Sequence, residues 1–450
     1  MAKSKQKFIC QNCEAVFYKW AGRCESCGEW NSLVEQTLPE VGRSAVARSI
    51  NNGKPLQVNS LNSIPFEEGM KRLKTGIGDL DIILGGGILP GGVTLLAGQP
   101  GIGKSTLLLQ TVANIAHNYD VLYISGEESA GQVRLRAARL GADKSSNLNF
   151  AASTSADDIA ATIRTGKYQL VVVDSVQTLH LNEITSSPGS VSQITNSSNV
   201  IINAAKETGT SAIFVGHVTK EGSIAGPKIL EHLVDVVLQF EGDRYGGFKI
   251  VRAVKNRYGS TNEAAIFEMG EKGLRIVENP SAALLAERRD EDGSVVLATL
   301  EGARPLLVEI QALVNSTNFG YPKRTASGFD INRLNLLIAV LERRTKLKLS
   351  DKDIYINVVG GIKISDPAAD LAICMAIASA SAGRRLNYGT VVFGEVGLGG
   401  EVRSVTSIEK RIAEAKKLGF TKALAPRTSK DEFIISVDNV RSTLIEYLQK

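Results

Sequence analysis

At 450 residues the chain is too long for one hydrophobic core, so two or three domains are expected. Its composition, 43% hydrophobic, 22% charged and 6% aromatic, excludes a largely disordered protein, and no apolar run is long enough to span a bilayer. The net charge of +5 permits nucleic-acid binding without demanding it, and the basic start MAKSKQKFIC has no apolar stretch or cleavage site behind it, so a cytoplasmic protein with no membrane contact is expected.

In chain order, the first informative feature is cysteine: four of the five lie within the first 27 residues. In a reducing compartment such clustering favours metal ligation over disulfides. The pattern is Cys10-x2-Cys13, ten residues, then Cys24-x2-Cys27. Each knuckle aims two sulfurs at one ion, and two knuckles complete the tetrahedral four-thiolate shell that Zn2+ prefers. With no open coordination position the metal is structural, and residues 1–30 read as a zinc-finger too small to fold on its own core. Unrelated cysteines or a redox pair are the alternatives, and the paired spacing argues against both. The fifth, Cys374, sits in an apolar helical stretch and reads as a small buried hydrophobe. Residues 31–60 are polar, without strong periodicity, and read as a linker.

From 61 to 278 short β-rich runs alternate with amphipathic stretches. The predicted strands are Val93–Gly98, Val121–Ser125, Leu170–Ser175 and Ala212–Gly216. The predicted helices lie near Lys104–His117, Ala130–Leu140 and Ser192–Thr208. Such alternation signals a parallel α/β sheet with helices on both faces. Asn279-Pro280 breaks the chain, and residues 279–450 form a further α/β unit with helices near Asp330–Arg344 and Pro367–Ala382.

The strongest chemical signal is Gly98-Gln99-Pro100-Gly101-Ile102-Gly103-Lys104-Ser105, followed by Thr106. It matches G-x4-G-K-[ST] between an apolar strand and a helix, the setting this motif requires. The glycines let backbone N–H groups wrap phosphates, aided by the helix dipole. Lys104 would neutralise the β- and γ-phosphates of ATP or GTP, and Ser105 would give an oxygen to Mg2+. Asp174 ends the apolar strand Leu170-Val-Val-Val, where the second metal-proximal acid is expected. Glu127 and Glu128 follow the strand Val121-Leu-Tyr-Ile-Ser, and either could polarise the attacking water.

Taken together, the cysteine finger, Gly98–Ser105, the stretch Tyr-Ile-Ser-Gly-Glu-Glu-Ser at 123–129 and Lys255-Asn-Arg-Tyr-Gly259 resemble the RadA/Sms family of bacterial recombination proteins, within the RecA/KaiC/DnaB class. The resemblance extends over essentially the whole chain. It implies an α/β fold of three parts: C4 zinc-finger, RecA-like P-loop ATPase core and Lon-protease-like C-terminal domain. It further implies a DNA-dependent ATPase acting in repair and recombination on single-stranded and branched DNA. The implied state is a homo-hexameric ring, with a RecA-type recombinase as partner and ATP, Mg2+ and structural Zn2+ as cofactors. Glu127 matches the catalytic glutamate. Lys255 and Arg257 match a basic pair that reaches the neighbouring subunit's nucleotide. Loops at 181–190 and 217–228 fall where such motors line a DNA channel, with Lys220 and Lys228 as candidate phosphate contacts; solvated loop lysines explain them about as well.

The C-terminal third departs from Lon at its reactive centre. Ala368, in Ser365-Asp-Pro-Ala-Ala-Asp370, stands where the nucleophilic serine would be, and Glu409, beside Lys410, where the lysine would be. Without the hydroxyl there is no nucleophile. The domain then reads as a scaffold that also touches DNA, with Lys323-Arg324 and Arg343-Arg344 as candidate contacts; a solvated helix face explains these clusters almost as well. An active ATP-dependent protease and a KaiC-like scaffold without DNA activity are the rival readings.

Overall fold

Apolar β-rich runs such as Val93-Thr-Leu-Leu-Ala and Leu170-Val-Val-Val cannot alternate toward water, so they belong in a sheet covered on both faces. The computed structural model of the protein describes residues 7–10, 15–17, 19–30, 32–36, 60, 71–217, 229–242, 247–317, 321–427 and 431–448. Cys13, Lys220 and Lys228 lie outside the described residues. The chain divides into two compact units, Met1–Glu68 and Gly69–Lys450.

The first unit holds a three-stranded antiparallel sheet of β1 (Lys7–Cys10), β2 (Val16–Phe17) and β3 (Leu33–Gln36), in the order β2-β1-β3. Strand β3 corrects the linker expected from residue 31: Cys10 pairs with Leu33 in the ladder, so the finger's sheet runs through Gln36. Among the described residues its apolar cluster is Phe8, Cys10, Cys24 and Leu33 with a few partly buried neighbours. A core that small does not hold a fold without a metal or an equivalent cross-link.

The second unit contains two large sheets. The first is built from β4 (Val93–Gly98), β5 (Val121–Ser125), β6 (Leu148–Ala152), β7 (Leu170–Asp174), β8 (Ser211–His217), β9 (Val236–Gly242), β10 (Lys249–Asn256), β11 (Ala264–Gly270) and β12 (Gly273–Ile276). Their order is β12-β11-β10-β9-β4-β8-β7-β5-β6. Strands β4 to β9 run parallel, and β10 to β12 return as an antiparallel meander.

Helices α1 (Gly78–Ile83), α2 (Lys104–Ile115), α3 (Ala130–Leu140), α4 (Ala156–Arg164), α5 (Val191–Thr208) and α6 (Ile229–Leu233) accompany this sheet. Successive strand residues point to opposite faces, so Leu96 and Val172 pack with Leu107 and Val112 of α2, while Leu95 and Val173 pack with Ile159 of α4 and Ile201 of α5. Both faces are therefore dry, and polar chemistry is confined to the strand ends. Helix α3 begins at a capping box, in which Ser129 and Gln132 satisfy each other's backbone N–H groups.

The second sheet has the order β15-β16-β14-β13-β17-β20-β21. Its strands are β13 (Ser294–Glu301), β14 (Arg304–Ser316), β15 (Arg324–Ser327), β16 (Lys352–Val358), β17 (Thr390–Val392), β20 (Lys422–Ala425) and β21 (Ile434–Ser436). A separate ribbon joins β18 (Glu395–Val396) to β19 (Val402–Arg403). Its helices are α7 (Pro280–Leu285), α8 (Ile331–Thr345), α9 (Ala369–Ala382), α10 (Ile408–Lys417) and α11 (Val440–Tyr447). Helix α9 is apolar all round and buried along most of its length, as a central helix must be, and it contains Cys374. Among the described residues no helix is long and apolar enough to cross a membrane.

The two sheets share packing: Ile250 and Ile266 of the first belong to the same apolar cluster as Leu306 and Leu307 of the second. Arg252 on β10 pairs with Glu301 at 3.0 Å, and Arg304 pairs with Asp79 of α1 at 2.9 Å.

Candidate functional site: a phosphate loop at the strand ends and a thiolate cluster

Strand β4 ends in Gly98 and the chain turns through a loop into α2. Gly101 and Gly103 adopt φ of +77° and +118°, in the left-handed region where a side chain would be strained. At Gly98 an added Cβ would stand 2.6 Å from the Phe240 carbonyl oxygen, so the loop's close approach to β9 also requires glycine. No side chain caps α2. Its first-turn N–H groups have no acceptor inside the helix and are available to an anion.

Lys104 lies almost fully buried at the start of α2. Its Nζ donates to the carbonyls of Gly98 at 2.8 Å and Gln99 at 3.0 Å, and stands 3.1 Å from His217 Nδ1. Burial lowers the ammonium's pKa to about 8, against the opposing pull of the Asp174 and Glu127 charges. Ser105 Oγ donates to Asp174 Oδ2 at 2.7 Å, and Tyr123 OH donates to the same oxygen at 2.5 Å. Burial, with the Asp174 charge behind it, pushes the Tyr123 phenol well above its ordinary range, so the tyrosine remains a donor.

The two glutamates occupy different environments. Glu128 is held by both terminal nitrogens of Arg136, at 2.7 and 2.5 Å. The Glu127 carboxylate is 41% exposed. Its Oε1 accepts from Ser175 Oγ and lies 3.2 Å from His217 Nε2. The His217 hydrogen bond, then that of Ser175 and the charge of Lys104, outweigh partial burial and hold the Glu127 carboxyl well below its ordinary range. The structure thus brings Lys104, Ser105, Asp174 and Glu127 together. It adds Tyr123, Ser175, His217 and Arg136, which the sequence did not single out. A strand-end rule applied to β8 would have found His217.

Lys255 and Arg257 are elsewhere. Asn256 at the end of β10 pairs with Val236 at the start of β9, which runs parallel to β4, so this pair sits at the edge opposite the phosphate loop. By register Lys255 is level with Leu95 and Asn256 with Thr94, three and four residue steps from Gly98, or roughly 10–13 Å along the strands at about 3.3 Å per step. Lys255 Nζ donates to the carbonyls of Glu231 at 2.6 Å and Val234 at 2.7 Å. Arg257 pairs with buried Asp235 at 3.2 Å, and Asp235 also accepts from the N–H of Val93.

In the C-terminal sheet, Ala368 is buried at the start of α9, and its N–H donates to Asp366. Glu409 and Lys410 are exposed on α10. The basic groups that face the 365–370 stretch are instead Arg411, fully buried and 2.7 Å from Asp366, and Arg333, which pairs with the buried Asp370. Burial raises the Asp366 pKa, but the hydrogen bond and charge of Arg411, with the N–H groups of Ala368 and Leu300, outweigh it and keep the carboxylate below its ordinary range. Lys323 is exposed, Arg324 half-buried, and Arg343 and Arg344 are exposed at the end of α8.

In the first unit, the sulfurs of Cys10, Cys24 and Cys27 all lie within 4.8 Å of one another, with Cys10 and Cys27 at 3.6 Å. Sulfurs of a tetrahedral shell with bonds of about 2.3 Å stand roughly 3.8 Å apart, so this donor set fits zinc. The oxygens of Ser105 and Asp174, already converged, likewise fit a hard cation such as Mg2+.

Comparison with known proteins agrees with this division. Residues 8–35 match the family described as a rubredoxin metal binding domain, residues 69–223 an AAA domain, and residues 334–429 the subunit ChlI of Mg-chelatase. Over nearly its whole length the chain is similar to proteins named DNA repair protein RadA. The relative from Bacillus subtilis is 48% identical, over 99% of this chain and 99% of its own. That from Pseudomonas aeruginosa is 46% identical, over 95% and 94%, and that from Aquifex aeolicus 44% identical, over 100% and 99%.

Two predictions follow from these geometries. Replacing Cys24 by Ser should lower zinc, measured by metal analysis of the purified chain, from one equivalent to well below one; retained stoichiometric zinc would move the ligands elsewhere. For Lys104 the sign is set by its depressed pKa: phosphate anions favour the ammonium, so nucleotide binding above pH 8 must take up a proton. Calorimetry at pH 8.5 in buffers of differing ionisation enthalpy should show net proton uptake, with affinity flat well below pH 8 and falling as pH rises further. Binding without proton uptake at pH 8.5 would contradict this account of Lys104.

Proposed function

The chain belongs to the RadA family of DNA repair proteins, and from that premise we propose a DNA-dependent ATPase of recombination and repair that works as a homo-hexameric ring. It binds single-stranded DNA and drives or remodels branched intermediates, in company with a RecA-type recombinase. The observation that supports the reading is that Lys255 and Arg257 lie at the opposite strand ends from their own chain's phosphate loop. There they are placed to meet another subunit's nucleotide rather than their own.

In this reading the loop 98–103 and the first turn of α2 hold the phosphates. Lys104 exchanges its carbonyl acceptors for phosphate oxygens, and Ser105 and Asp174 hold Mg2+, which would neutralise charge on the β- and γ-phosphates. Glu127 is the base rather than Glu128, because Arg136 already claims both oxygens of Glu128. Glu127 Oε1 is anchored, and the side chain is partly exposed, so water can reach it. As the water oxygen bonds to the γ-phosphorus, its proton passes to the carboxylate; the bond to the β–γ bridging oxygen breaks, and ADP leaves with that electron pair. Phosphate charge beside Lys104 raises the carboxylate's proton affinity from its low resting value, which favours the transfer.

DNA contacts fall to Lys323 and Arg324 on the C-terminal sheet, and to Lys220 and Lys228. The C-terminal domain is read as a scaffold without protease activity, since Ala368 carries no hydroxyl and the space facing it is taken by the Asp366–Arg411 pair.

ATP hydrolysis by the full chain, with and without single-stranded DNA, tests this directly. DNA should stimulate turnover at 50 mM salt and much less at 200 mM, because affinity resting on six to ten phosphate contacts falls about 10³–10⁵-fold across that range. Turnover indifferent to DNA would favour an ATP-binding scaffold instead. A mixing experiment checks the interface: Arg257→Ala and Glu127→Gln should each be inert alone and regain activity when combined, since a mixed interface can place an intact Glu127 opposite an intact Arg257. No recovery would overturn the assignment of Arg257 to a neighbouring subunit's site.

A further inference from the structure

His217 ends β8, and its ring stands between two groups that the proposed chemistry uses for different purposes. Nδ1 lies 3.1 Å from Lys104 Nζ and Nε2 lies 3.2 Å from Glu127 Oε1. An ammonium has three protons and no acceptor lone pair, so Nδ1 must be the acceptor. The ring proton of a neutral imidazole then sits on Nε2, directed at the carboxylate. The other two ammonium protons go to the Gly98 and Gln99 carbonyls. Lys104 therefore fixes the tautomer of His217, and His217 with Ser175 fixes one oxygen of Glu127.

We propose that His217 is a positioning residue for ATP hydrolysis: it orients the Glu127 carboxylate through a hydrogen bond whose direction is set by Lys104. This rests on the reading of Glu127 as the base. Without the ring, Glu127 Oε1 keeps only the Ser175 hydroxyl, and a side chain that is 41% exposed has room to swing away from the attacking water. The link also explains why a histidine at a strand end, far in sequence from both partners, lies in the site.

The glutamine amide offers a direct test, since its oxygen can accept from Lys104 while its nitrogen donates to Glu127. Leucine fills similar space and does neither. In the full-length protein, His217→Leu should lower kcat by about 10–100-fold, the range for misplacing a reacting group. KM and the dissociation constant of a fluorescent ATP analogue should change by less than about threefold, and His217→Gln should keep kcat within about threefold of the parent. Thermal unfolding of each variant confirms that the chain is folded.

Three results would overturn the role of His217: normal kcat in the leucine variant, a loss of nucleotide affinity that matches the loss of kcat, or a glutamine variant as slow as leucine. Glu127→Gln, measured in parallel, keeps the two readings apart. If it turns over ATP normally, the assignment of the base fails. If it is inert while His217→Leu is normal, only the role of His217 fails.

Discussion

The Lys104 ammonium sits where water supplies little of its solvation, and the carboxyl end of the large sheet is organised around that deficit. Burial drives its pKa down, to about 8 even with the Asp174 and Glu127 carboxylates resisting, and two backbone carbonyls and an imidazole accept its protons. Each partner arrives from a different strand. The sheet order β4-β8-β7-β5 places side by side the loop bearing Lys104, then His217, then Asp174, then the turn bearing Glu127. Shuffling the strands would scatter the charges, and a buried ammonium without counter-charge would lose its proton rather than remain. Chemistry and topology are thus one constraint: the site exists because these four strands are parallel neighbours whose ends coincide.

That dependence explains what could be read in the sequence. The phosphate loop was legible because its requirements are local, with glycines, Lys104 and Ser105 in eight residues between an apolar strand and a helix. Asp174 was legible from its place at the end of an apolar run. Glu127 and Glu128 were indistinguishable side by side, since only the folded chain brings Arg136, eight residues beyond Glu128, back to claim it. His217 was invisible because its partners lie 113 and 90 residues away. The third strand of the finger was missed for a related reason: four residues show little alternation, and what makes them a strand is pairing with β1. At the degenerate centre the motif pointed to Glu409 and Lys410, whereas the turn of α10 directs their neighbour Arg411 inward.

Strand β10 connects regions that would otherwise be independent. Along it, Arg252 meets Glu301 of the C-terminal sheet and Glu241 of β9. Two residues further on, the pairing with β9 slips between Ala253 and Lys255, leaving Val254 half exposed. Such a bulge re-aims the side chain that follows it. Here that side chain is Lys255, directed at the carbonyls of Glu231 in α6 and Val234 just after it. In the proposed ring, a force on Lys255 from a neighbour's phosphates would act along β10 and on α6 together.

The C-terminal domain contributes to this connection through a buried charge pair. Its interior keeps an ion pair, Asp366–Arg411, whose acid also accepts from Thr299 Oγ1 and the N–H of Leu300 on β13. Removing one member of such a buried pair costs about 3–5 kcal/mol, because the other is left charged and unsolvated. The pair thus ties α10 to β13, and β13 ends in Glu301, the partner of Arg252. At the next turn Arg304 reaches Asp79 of α1. The segment around Asp366 thus acts as a strut, with Ala368 fully buried and its N–H bonded to the same acid. Its mechanical output is delivered to the same strand that carries Lys255, so on the proposed reading this domain sets the stiffness of the element through which one subunit answers another's nucleotide.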